Sequence, residues 1–96
     1  MTPAEILAYG ARTLDRHVKA AREMAALVHN HGIAMHSAGF VAELIDREAT
    51  RAGATLDVLS GLCPEITPEL RDAHTSTAHT LRTIREGVLA TLTQTA

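Results

Sequence analysis

The stretch TPAEILAYGARTLDRHVKAAREMAALV, residues 2–28, decides the fold. Read at helical spacing, Leu7, Ala11, Leu14, Val18, Ala21, Ala25 and Val28 recur in steps of four and three. That places them on one side of an α-helix. A second line, Ile6, Gly10, Ala20, Met24 and Leu27, runs beside the first and is interrupted by Thr13 and His17. An apolar face this broad predicts contact with two neighbouring helices rather than one. Thr2-Pro3-Ala4-Glu5 reads as a capping box, with Thr2 as N-cap, Pro3 in the first helical position and Glu5 three residues on. The helix is expected over about 3–30, ended by Gly32.

Beyond it, Asn30 to His36 reads as a short connection whose Ile33 and Met35 fold back over the core. Ser37 is the expected N-cap of a second helix over about 38–60, with Val41, Leu44, Ile45, Ala49, Ala52, Leu56 and Leu59 inward and Gly61 as its C-cap. Gly53, costly inside a helix, marks a bend or a close helix contact. After Leu62-Cys63-Pro64-Glu65-Ile66, the pair Thr67-Pro68 repeats the opening signal of the first helix. A third helix is expected over about 68–92, with Leu70, Ala73, Thr77, Leu81, Ile84, Val88 and Leu92 inward. No strand alternation, repeat or low-complexity tract is visible. The expectation is therefore an all-α, three-helix up-down-up bundle. It forms one domain over 1–96, with a long first helix and short connections, and associates through its helix faces.

With 46 % hydrophobic and 21 % charged residues, the chain has the make-up of a folded domain and not of a disordered one. Its only aromatics are Tyr9 and Phe40, so the core must be built from aliphatic side chains and many alanines. Such a core is thin for a chain of this size, and oligomerisation is a common remedy. The formal charge of -2 supplies no global field toward nucleic acid or anionic lipid. Cys63 is the single cysteine, no signal peptide is visible at the N-terminus, and no apolar run approaches a bilayer span. A cytoplasmic location is expected, and the Ala/Thr/Arg bias suggests a bacterial or phage source.

The chemistry-bearing residues each have two readings. His29, His31 and His36 gather around the first connection in the manner of a metal-ligand set, although no carboxylate lies in that loop. His74 and His79, five apart, fall on different faces. His17 interrupts an apolar line, which suits a half-buried, hydrogen-bonded histidine or a pH-responsive contact. Cys63 beside Pro64 reads as a packed thiol. No Glu-x-x-His pair, phosphate loop or nucleophile signature is present. Arg12, Arg16, Lys19 and Arg22 form a basic row along the first helix, interrupted by Asp15 and Glu23. On the third helix Thr75, Ser76, Ala78, Thr80, Thr83 and Gly87 form a small-residue face suited to close helix approach and hence to self-association.

The expectation for function is a small non-enzymatic interaction protein with an accessory, inhibitory or structural role, a phage-encoded one included. It needs no cofactor, binds a protein partner through Arg12, Arg16, Lys19 and Arg22, and forms a homo-oligomer through the face around Ser76. The alternatives are a metal- or small-ligand-binding protein using His29, His31 and His36, and a weak nucleic-acid binder using the basic row. Elemental analysis of untagged protein separates the metal alternative. Stoichiometric zinc, nickel or copper lost on His31→Ala supports it, and metal-free protein removes it.

Overall fold

The structure is a computed structural model that describes residues 2–31 and 35–91, with side chains described for 2–29 and 38–91. Three helices, α1 (Pro3–His31), α2 (Met35–Leu62) and α3 (Thr67–Ala90), pack pairwise against one another. A short 3-10 turn at Pro64–Ile66 leads into α3. There is no strand among the described residues. The result is an all-α up-down-up bundle, a rod of 51 × 17 × 15 Å. Its radius of gyration, 15.4 Å, exceeds the roughly 12–13 Å of a rounded domain of this length.

At the start of α1 the Thr2 hydroxyl accepts the Glu5 backbone N–H at 3.1 Å and donates to Glu5 Oε1 at 3.1 Å. The Thr2 half of the expected capping box is thus formed, while the Glu5 carboxylate reaches back to the Thr2 hydroxyl rather than to its backbone N–H. Other boundaries differ from the sequence reading. α2 begins at Met35, so Ser37 lies inside it rather than capping it, and Met35 is helical rather than part of a loop. Ala38, fully buried, and Val41 anchor this first turn in the core, and that packing outweighs a capping preference. α2 runs on to Leu62, leaving Gly61 in the helix rather than at its end. The terminator is Pro64, which pushes Cys63 into an extended conformation (φ -145, ψ 84).

Thr67 is not an N-cap either. Its own conformation is helical (φ -53, ψ -43), and its N–H is already bonded to the Pro64 carbonyl, so the 3-10 turn passes into α3 without a side-chain cap. α3 stops at Ala90, followed by a turn in which Thr91 Oγ1 donates to the Val88 carbonyl at 2.6 Å. Gly32, Ile33 and Leu92 lie outside the described residues.

The core forms two clusters. One joins Ala21, Ala25, Val28, Ala38, Val41, Ile45, Leu81 and Val88, and the other joins Ile6, Leu59, Cys63, Ile66 and Leu70. Every residue is aliphatic apart from the Cys63 thiol, and alanine supplies much of the first cluster. The broad α1 face is enclosed as expected by both later helices, with Leu14 and Ala21 buried and Val18 half-buried. Two of its members are not enclosed: Ala11 is exposed, and Leu27 is 47 % exposed. Each sits at the outer edge of its line, where the helix surface has already turned away from its neighbours.

Of the described glycines, Gly10 has the tightest surroundings. A Cβ there meets Leu70 Cδ2 at 2.9 Å and Leu59 Cδ1 at 3.1 Å, and both leucines are buried. Gly61 and Gly87 have nothing within 4 Å of such a Cβ. In urea or thermal unfolding, Gly61→Ala and Gly87→Ala are each expected to stabilise by about 0.5–1 kcal/mol through helix propensity alone. Gly10→Ala is expected to destabilise, because overpacking costs about 1–3 kcal/mol against that gain. Stabilisation by all three would contradict the close approach.

Candidate functional site

The feature with the most chemistry lies inside the bundle. His17 stands at a core position of α1 and Glu48 at a core position of α2, where the line Val41, Ile45, Ala52, Leu59 would otherwise be apolar. His17 Nδ1 lies 2.5 Å from Glu48 Oε2, and Arg51 donates from Nη1 to Glu48 Oε1 at 3.2 Å. The Glu48 residue is only 8 % exposed. A carboxylate there is tolerable because both of its oxygens are satisfied by donors, one of them a guanidinium. Arg51 carries its charge out to solvent, its side chain 67 % exposed. His17 is thus the half-buried, hydrogen-bonded histidine that its place in the sequence suggested. Glu48, which the sequence reading did not single out, is its partner.

The other sites fall as follows. Arg12, Arg16, Lys19 and Arg22 are all exposed on α1, and none makes an ion pair among the described residues. Arg16 donates to Thr13 Oγ1 at 3.4 Å. Lys19 and Arg22 border a shallow groove of about 450 Å³ on α1 together with Asp15, Val18, Glu23 and Ala26. A second groove, about 340 Å³, runs between α1 and α3, floored by Ala25, Ala26, Ile84 and Gly87 and edged by Arg22 and His29. The carboxylate of Asp46 pairs with Arg85 of α3 at 3.0 Å.

The small-residue face of α3 is narrower than the sequence implied. Thr75, Ser76, Thr83 and Gly87 are exposed, whereas Ala78 and Thr80 are half-buried. Ala78 turns toward α2, bordering a groove with Ile45, Asp46 and Ala49. Thr75, Thr80 and Thr83 donate their hydroxyls to the carbonyls of Arg71, Ser76 and His79, four residues back, which removes donors from this face.

Of the three histidines at the first connection, His29 is exposed, and the side chains of His31 and His36 lie outside the described residues. No group of three or more His, Cys, Asp or Glu able to hold a metal occurs among the described residues. His74 is half-buried, and a Cβ at Gly53 would stand 3.6 Å from its Nε2, an ordinary van der Waals distance that does not require glycine there. Cys63 is free and buried in the second cluster. No helix among the described residues is long and apolar enough to cross a membrane. Comparison with protein-family models, with characterised proteins and with solved structures finds no match.

The pair is expected to behave as one unit. Glu48→Ala is expected to cost about 2–4 kcal/mol, since it strips His17 of its buried partner. His17→Leu/Glu48→Leu is expected to cost less than the sum of its single changes, with a coupling of about 1–3 kcal/mol in a double-mutant cycle. Additive single changes would show that the contact does not operate in solution.

Proposed function

We propose that this chain is a small, non-enzymatic helical protein that acts by binding an acidic surface on another protein, with Arg12, Arg16, Lys19 and Arg22 as the charged part of the contact. The observation that carries the reading is the row itself. Four exposed basic groups on one helix are left without ion pairs among the described residues, while the acids of α2 nearest the core are engaged elsewhere. Glu48 is held by His17 and Arg51, and Asp46 by Arg85. Steering by such a row sets association rate and partner choice more than raw affinity. An accessory, inhibitory or structural role in a bacterial or phage cytoplasm fits this reading.

Self-association belongs to the same proposal. Its support is the exposed small residues Ser76, Thr83 and Gly87 of α3 beside the alanine-floored groove, on a rod more extended than a rounded domain. Light scattering reads it directly, as a mass above the 10.3 kDa of one chain. A single-chain mass at working concentration would remove it.

Affinity capture from the native host tests the central claim. An Arg12→Gln/Lys19→Gln chain is expected to lose proteins that the parent retains, and those losses are expected to be salt-sensitive. An unchanged set of captured proteins would overturn the reading. Salt-dependent binding of duplex DNA that weakens in the same variant would replace it with nucleic-acid recognition.

A further inference from the structure

All five large apolar side chains that the described residues leave exposed belong to α1 and α2, and none to α3. They are Tyr9 (41 %), Leu27 (47 %), Phe40 (56 %), Val58 (64 %) and Leu62 (69 %). The chain's only two aromatics are therefore on the surface, in a protein whose core is thin. On α1, Tyr9, Thr13, Arg16, Ala20, Met24 and Leu27 step by four, three, four, four and three, forming one stripe. On α2, Phe40, Leu44, Arg47, Arg51, Val58 and Leu62 form another at helical spacing. The His17–Glu48 contact sets the antiparallel register between the two helices. It brings Arg16 level with Arg47 and Arg51, Tyr9 toward the Val58 end, and Leu27 toward the Phe40 end.

The hairpin's outer face, away from α3, is thus apolar at both ends and carries a belt of three guanidiniums across its middle. Glu48, the carboxylate beneath that belt, is already shared between His17 and Arg51. Glu23, between Ala20 and Leu27, and Glu43, between Phe40 and Arg47, stand at the same steps of three and four near the Leu27–Phe40 end, beside the belt rather than within it. Large exposed apolar groups gathered on one face mark a contact surface. One long side of the rod, 51 by 17 Å, is on the order of the ~800 Å² per partner that specific interfaces bury. A second copy placed on the same face by a two-fold axis would bring two arginine belts together, which is unfavourable.

We propose that this face docks an amphipathic helix of another protein with acidic residues in its middle turns and large apolar residues at both ends. The anchors are set by the eighteen residues from Tyr9 to Leu27 and again from Phe40 to Val58, about 27 Å or five turns. This rests on the reading of the chain as an interaction protein and names the chemistry of its partner. The partner helix lies as a fourth rod against α1 and α2.

The probe is a synthetic helix of about seven turns, with leucines at both ends and glutamates between them, titrated by fluorescence anisotropy against the full chain. It is expected to bind, more weakly as salt rises. Binding is expected to fall about tenfold or more for Phe40→Ser/Val58→Ser and for Arg47→Glu. A lysine-centred version is expected not to bind. These positions are exposed, and circular dichroism matching the parent verifies the fold of each variant. No binding of the glutamate helix, equal binding of the lysine helix, or no loss in the variants would overturn the proposal. So would a dimer that Phe40→Ser converts to single chains. In capture from the host, proteins lost by Arg12→Gln/Lys19→Gln but kept by Phe40→Ser/Val58→Ser would overturn this surface and leave the interaction reading standing.

Discussion

The rest of the molecule depends on the contact between His17 and Glu48. In chain position it falls between the two apolar clusters, one reaching from Ala21 and Ile45 toward the first connection, the other from Ile6 and Leu59 toward the second. Much of the first cluster is alanine, and alanine faces slide past one another with little change in packing. A helix slipped by one turn would still meet small apolar groups. It would take the His17 donor away from Glu48 and leave the buried carboxylate with only Arg51 of its own helix, and breaking a buried pair costs several kcal/mol. A single polar pair in an otherwise permissive interface specifies register in this way. The same level of the bundle is polar on α3 too, where half-buried His74 lies against Gly53 and Thr77 is half-buried.

Register in turn decides what is left outside. With α1 and α2 held in this alignment, the sides turned from α3 bring together two apolar ends and an arginine belt. The chain has two aromatic side chains, Tyr9 and Phe40, and it leaves both exposed together with Leu27, Val58 and Leu62. The exposed basic row extends the same positive surface along α1. α3 closes the opposite side with threonines whose hydroxyls are bonded back to their own helix.

Three helices and their inward faces were legible in the sequence because the four-three spacing of Leu14, Val18, Ala21 and Ala25, and of Leu81, Ile84 and Val88, is a direct image of helix geometry. The Thr2–Glu5 cap was legible because its partners are three residues apart. Ser37, Gly61 and Thr67 misled as boundary signals because each helix end was settled by something nonlocal or by proline. Buried Ala38 extends α2 backward, Pro64 ends it, and the 3-10 turn after Pro64 supplies the bond that an N-cap at Thr67 would have made. His17 was recognisable as a polar residue in an apolar line. Glu48 occupied the same kind of slot on α2, but its partner is thirty-one residues away. Two polar residues in core slots of adjacent helices are the signal that would have paired them. The outer face escaped notice because it exists only once the two helices are in register.

The His17 imidazole proton tests this account most directly. Nuclear magnetic resonance in water is predicted to show a slowly exchanging, downfield Nδ1–H resonance assigned to His17, held by the Glu48 carboxylate and lost in Glu48→Ala. A His17 ring proton that exchanges with solvent as freely as those of an exposed histidine, or a spectrum unchanged by Glu48→Ala, would contradict it.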